Sequence, residues 1–174
     1  MKKYLLPILA LFCTGCVGTP ENIEPVTGFE PDRYLGTWYE IARLDHRFER
    51  GLSNVTAEYS LNEDGTIAVV NRGYNEEEKE WQKATGKAKF VKNKETGHLK
   101  VSFFGPFYAS YVIFELDKEN YQYAYVTGSD KDYLWFLSRT PTISEAEKKR
   151  FTETIIKLGF ATDELTFVDH DLGE

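Results

Sequence analysis

The sequence is poor in the residues that reactive centres draw on. Its 174 residues include two cysteines, one methionine and three histidines. His46, His98 and His170 stand far apart and make no His-x-x-x-His pair, so a metal ion finds no ligand spacing. No Walker loop, Gly-x-Ser-x-Gly elbow or Gly-x-Gly-x-x-Gly strand turn is present. With no nucleophile–base pair in view, the residues point away from an enzyme. Positive charge is scarce as well: the formal balance is −7. A phosphate backbone would repel such a chain, which excludes nucleic acid as the expected partner. The same charge disfavours passive adhesion to anionic lipid, so residence at a membrane needs an anchor.

The first residues supply the pattern of one. Lys2 and Lys3 precede the apolar stretch Tyr4–Phe12, which is far short of the ~20 residues of a spanning helix. Small residues then lead into Cys16 within Cys13-Thr14-Gly15-Cys16. The pattern resembles a bacterial lipoprotein box, with Cys13 where an aliphatic residue is commonest. The resemblance implies that 1–15 is a signal peptide and that Cys16 is lipidated as the new N-terminus. Loss of Lys2 and Lys3 takes the charge from −7 to −9. It also leaves Cys16 without a partner for an intrachain disulfide. Val17 follows, where aspartate would favour the inner membrane. Residues 16–30 hold Gly18, Pro20, Pro25 and Gly28 without periodicity and read as a lipidated tether, flexible or extended. The domain proper is set at 31–174.

Past the tether the chain reads as short β-type segments near 37–45, 54–61, 66–74, 81–92, 98–104, 107–116, 121–127 and 132–139. Connectors such as Asn62-Glu63-Asp64-Gly65 and Lys94-Glu95-Thr96-Gly97 have hairpin-turn composition. Eight sequential strands so linked suit an antiparallel up-and-down barrel, whose closure removes exposed edges. The connector Asp45–Asn54 is expected to cross one mouth as a lid. A capping box at Ser144–Glu147, a stripe of Phe151, Ile155 and Leu158, and a terminating Gly159 predict one C-terminal α-helix packed outside the barrel. Residues 164–168 suggest a last strand.

The stretch Tyr34–Leu44 organises this pattern, with Gly36 two residues ahead of Trp38 at a strand start. About a hundred residues later, Tyr133–Ser138 forms a strand that closes on Arg139. Together with Trp38–Arg43, Val101–Tyr108 and Asp132–Trp135, these residues resemble the bacterial outer-membrane lipocalins, relatives of apolipoprotein D. The resemblance runs from about Phe29 to Phe167. It implies a barrel-end signature of Gly36, Trp38 and Arg139, with the arginine lying across the tryptophan ring. It also implies an outer-membrane destination with the domain facing the periplasm, a lipid ligand and no cofactor. Related proteins pair, so a homodimer is compatible with it.

Aromatic residues make up 15% of the chain and crowd its second half. An eight-stranded barrel is either filled by side chains or holds one small ligand. Tyrosines and phenylalanines in its wall would suit an amphiphile, a fatty acid or lysophospholipid, bound by Trp38, Glu40, Phe104, Tyr108, Tyr111, Phe114, Tyr125 and Trp135. Alternation from Trp38 puts Glu40, Ala42 and Leu44 on one face with it. Glu40 then serves a ligand head group, or is a structural acid paired with an arginine or tyrosine. Arg43 and Arg72 read more readily as solvated strand positions than as anion ligands. Two other functions stay open: an enzyme on a small lipophilic substrate, using Glu40 or a tyrosine, and a filled structural envelope lipoprotein.

Overall fold

A computed structural model of the protein describes residues 17–172. The signal peptide expected at 1–15 and the lipidation expected at Cys16 lie outside the described residues. A single helical turn, α1 (Pro31–Tyr34), leads into β1 (Gly36–Leu44). There follow β2 (Leu52–Leu61), β3 (Ile67–Asn75), β4 (Glu80–Phe90), β5 (His98–Phe104), β6 (Phe107–Leu116), β7 (Tyr123–Thr127) and β8 (Leu134–Ser138). Each strand pairs antiparallel with the next, and β1 pairs with both β8 and β2, which closes the ring. Up-and-down order puts the β1–β2, β3–β4, β5–β6 and β7–β8 connectors at one end, called the mouth below. The other connectors and α1 share the opposite, closed end.

The closed end is closed by packing. Gly36 has φ +90°, a conformation that disfavours a side chain, and this bend swings α1 under the barrel. Trp38 is fully buried there, and its Nε1–H donates to the Tyr34 carbonyl at 2.8 Å. The Arg139 guanidinium lies 3.8 Å from the centre of the Trp38 ring. Its N–H groups also donate to the carbonyls of Thr37, Arg33 and Leu35 at 2.8, 2.8 and 3.0 Å. One planar fork thus ties the end of β8 to α1 and the start of β1, a geometry lysine lacks. Phe29, Tyr121, Leu116, Leu99 and Leu137 fill the space around this plug.

A second core lies outside the wall. Ser144 caps α2 (Glu145–Lys157), and its hydroxyl and the Glu147 carboxylate exchange hydrogen bonds with each other's backbone N–H. Phe151 and Ile155 of α2 are fully buried against Val112, Tyr125, Leu134 and Phe136. A short strand, β9 (Leu165–Phe167), then pairs with the mouth half of β1. Residues 17–30 turn at Glu21–Asn22 and are bound to the wall. Val26 N–H donates to the Ile113 carbonyl, Gly97 N–H to the Val26 carbonyl and Phe29 N–H to the Glu95 carbonyl. Ile23 and Phe29 are buried, so the packed body begins before residue 31.

The plug is the part most exposed to a single change. Arg139→Ala is expected to lower the unfolding free energy by about 3 kcal/mol, since charged hydrogen bonds and a cation–π contact go together. Arg139→Lys should recover less than half of that loss, measured by urea unfolding. Equal stability of the alanine variant and the native chain would refute the role.

Candidate functional site

The interior is read from strand parity. Ala57, Tyr59, Ile67, Val69, Ala88, Leu99, Val101, Phe103, Tyr111, Ile113, Val126, Trp135 and Leu137 belong to the inner cluster around Trp38. A bulge between Glu40 and Ala42 breaks the alternation of β1. Glu40 sits opposite inward Leu137, whereas Ala42 sits opposite outward Phe136 and Arg43 opposite inward Trp135. Ala42 and Leu44 therefore join the outer core, contrary to simple alternation, and Arg43 turns into the barrel. The C-terminal segment meets β1 at this bulge: the Ile41 carbonyl accepts from Val168 N–H at 2.9 Å, and the Glu40 carbonyl is 2.8 Å from His170 Nε2.

Two polar layers follow above the plug. In the lower one, the Tyr111 hydroxyl is 2.8 Å from that of Tyr34 and 2.9 Å from that of Tyr59. Burial pushes all three phenols up from their ordinary range, so they act as neutral donors and acceptors. In the upper layer, Arg43 is 3% exposed and Glu40 4%. Arg43 donates to the Glu40 carboxylate at 2.8 Å, and to the carbonyls of Glu49 and Leu52 at 2.7 and 3.1 Å. This pins the 45–51 connector across its side of the mouth. Glu49 turns inward beneath it, accepts from Trp135 Nε1–H at 3.0 Å and lies 2.8 Å from His46 Nε2.

The two carboxyls settle at opposite ends of the scale. Desolvation, then repulsion from Glu49, hold Glu40 well above the usual carboxylate range despite Arg43. Burial would push Glu49 up too. His46, the Trp135 N–H and Arg43 together outweigh it and hold Glu49 below. One cation thus sits beside one carboxyl whose pKa is pushed up and one whose pKa is pulled down. Arg43 Nε and Asn71 Oδ1 are buried without a hydrogen-bond partner. Asn71 is opposite inward Ala57 in the β2–β3 register.

Of the expected ligand residues, the structure brings Trp38, Glu40, Tyr111 and Trp135 together inside. Phe114 and Tyr125 are corrections: both pack in the outer core beneath α2, where Phe160 stacks on Phe114 and Phe151 meets the Tyr125 ring. Phe104 is 76% exposed at the β5–β6 tip. Tyr108 lies against the Lys89 and Lys100 ammoniums on the outer wall. Arg43 is likewise not a solvated position. Tyr34, Tyr59, Asn71, His46 and Glu49 were not singled out from sequence as site residues. Only the lid character of the 45–54 stretch signalled the last two. Among the described residues, no group of three His, Cys, Asp or Glu is placed to hold a metal ion.

With this geometry in hand, the comparisons are decisive. The model of the lipocalin-like domain matches residues 29–170. The chain belongs to the lipocalin family. It is 55% identical over 168 residues to the outer membrane lipoprotein Blc of Vibrio cholerae, covering 97% of this chain and 98% of the relative. It is 30% identical over 181 residues to mouse apolipoprotein D, covering 97% and 94%. Insecticyanin from the tobacco hornworm superposes with a TM-score of 0.69 at 17% identity, over 90% of this chain and 88% of that one, which shows the shared fold. As a lipocalin the chain binds small hydrophobic ligands, and its bacterial relatives place it at the outer membrane as a lipoprotein.

The Glu40–Arg43 pair has a pH signature. A carboxyl whose folded pKa is raised favours the folded state only while protonated, so it costs stability as pH rises from the unfolded value, about 4.3, toward the folded one. Glu40→Gln mimics the protonated form and should match the native chain below about pH 4, then gain on it steadily as pH rises above the unfolded value. Glu40→Ala, which strands Arg43, should cost about 3–5 kcal/mol throughout. Parallel stability profiles for the native chain and Glu40→Gln would contradict the assignment.

Proposed function

We propose that this lipocalin carries or stores single-chain amphiphiles, fatty acids or lysophospholipids, at the outer membrane. In this reading lipidated Cys16 holds it there facing the periplasm, and its role is envelope maintenance. The observation that carries the reading is the small size of the inward residues in the mouth half. Ala84 and Ala109 stand there on β4 and β6, and both are solvent-exposed although they face the lumen. A barrel packed solid would cover those alanines, so the filled structural alternative fits less well. Val101, Phe103 and Trp135 give the space an apolar wall.

The polar layers suit the head group. Arg43 Nε offers a donor and Asn71 Oδ1 an acceptor, both unpartnered, beside the three tyrosine hydroxyls. Burying about ten methylenes at ~0.8 kcal/mol each yields roughly 8 kcal/mol gross. Association costs reduce this to an affinity of about micromolar or somewhat tighter. The reading assigns no chemistry to Glu40, whose carboxyl is engaged by Arg43.

The test is a titration followed by tryptophan fluorescence, with oleate, lysophosphatidylcholine and retinol added separately. Saturable one-to-one quenching, tightest for oleate or the lysolipid, is expected. Ala109→Trp, which projects a ring into the lumen, should weaken it at least tenfold with an unchanged unfolding midpoint. No saturable response to any of the three would end the carrier reading. Turnover of a bound lipid that is lost in Glu40→Gln would point instead to an enzyme.

A further inference from the structure

The barrel wall is not hydrogen-bonded over its whole height. β4 pairs with β3 from Glu80 to Ala88, but with β5 only from Lys87 to Phe90. Mouthward of the Lys87–Ser102 pair, β4 is therefore paired on one side alone. The strands are closest where that pairing stops. A Cβ on Gly86 would stand 2.8 Å from the Ser102 carbonyl oxygen and 2.9 Å from the Phe103 ring, so a side chain has no room there. Beside this contact lies a cleft of about 320 Å³, lined by Thr85, Gly86, Lys87, Ser102, Phe103 and Tyr108.

Its lining comes from both faces of the wall. Phe103 packs on the inner cluster, whereas Tyr108 lies on the outer wall against the Lys89 and Lys100 ammoniums, 5.6 and 5.2 Å from its ring centre. Ala84, the neighbour of Thr85, is solvent-exposed although it faces the lumen. A cleft lined in this way lies in the wall itself.

The charge beside the cleft is opposite to that of the whole chain. β3, β4 and β5 carry Arg72, Lys83, Lys87, Lys89 and Lys100 against a single acid, Glu80, in a protein of formal charge −7. Arg72 stands directly opposite Lys83, and Lys89 directly opposite Lys100. Like charges so placed destabilise a sheet, and folding alone gives no reason to keep two such pairs. Among the described residues, Lys87 has an ion partner, Asp64 at 3.2 Å, and the other four have none. Thr85, Ser102 and Tyr108 add hydroxyls, and the lining holds no carboxylate. Lysines and hydroxyls gathered at one cleft suit a phosphate, whose several oxygens accept from several point donors at once.

We infer that the cleft between β4 and β5 is a phosphate site, which holds the head-group phosphate of a single-chain lipid whose acyl chain lies in the lumen. Lys87, Lys89 and Lys100 supply the charge, and Thr85, Ser102 and Tyr108 the hydroxyl donors. Phe103 stands where the cleft meets the lumen. The place of the acyl chain rests on the carrier reading; the phosphate site does not. The site also divides the ligands. A fatty acid carboxyl is small enough for the polar layers around Arg43, whereas a glycerophosphate head leaves by the side.

The test compares two lipids with the same acyl chain. Oleoyl-lysophosphatidylglycerol carries a phosphate, and monooleoylglycerol has none. In fluorescence titrations, replacing Lys87, Lys89 and Lys100 together by glutamine should weaken the phosphate lipid about tenfold and leave the neutral one within about twofold. All three ammoniums reach solvent on the outer wall, so the fold is not at stake. Added salt should reproduce the same difference on the native chain. Equal losses for both lipids, or none for either, overturn the site. Amide shifts in NMR spectra then locate the phosphate. Saturable shifts at Gly86, Lys87 and Ser102 with glycerol 3-phosphate alone support a site that also takes the free phosphate. The same shifts with the lysolipid only support a head-group site that needs its chain. Shifts confined to the residues around Arg43 overturn the cleft. If neither lipid binds, the carrier reading fails and glycerol 3-phosphate alone judges the cleft, which the absence of shifts overturns.

Discussion

Everything in this molecule follows from plugging a closed barrel at one end only. Eight strands enclose a lumen that side chains can fill, and here the large ones are spent at the closed end. Trp38, Tyr34, Phe29 and Leu137 occupy it, and the Arg139 fork locks α1 against them. The small inward residues Ala84 and Ala109 are left for the mouth half. The proposed site is the part of the barrel the plug does not reach.

Between plug and opening lies a polar floor whose energetics are set by burial. Three neutral phenols share hydrogen bonds, and above them Arg43 faces one carboxyl shifted toward its protonated form and one shifted away from it. Such a group is costly to bury and tolerates loss of one member poorly. It persists because Arg43 also satisfies the Glu49 and Leu52 carbonyls, where the mouth half of β1 pairs with β9 in place of β2. The same contacts fix the 45–51 connector. Lid position and floor charge are therefore one structural feature.

The sequence showed the barrel, the outer helix and the Gly36–Trp38–Arg139 end, because turn composition, a capping box and a spaced pair of motifs are local signals. The inside of the mouth was less legible. The bulge after Glu40 is bound by Val168 and His170, more than 120 residues away, so no reading of β1 alone would turn Arg43 inward. Phe114 and Tyr125 were misassigned because α2 buries the outer face of β6 and β7 as thoroughly as the lumen buries the inner one. Aromatic content cannot separate two buried faces. Phe104 and Tyr108 were chosen for aromatic content alone, but Phe104 stands exposed at the tip beyond the register shift after Val101, and Tyr108 lies on the outer wall.

The central claim is that the mouth half, above the tyrosine layer, is where the ligand lies. Anomalous diffraction from crystals grown with a fatty acid brominated near its tail locates it directly. The account predicts one bromine peak inside the barrel, near Val101 and Phe103 and above Tyr34, Tyr59 and Tyr111. A peak only on the outer wall near Phe114, or no peak within the barrel at saturating ligand, would contradict it.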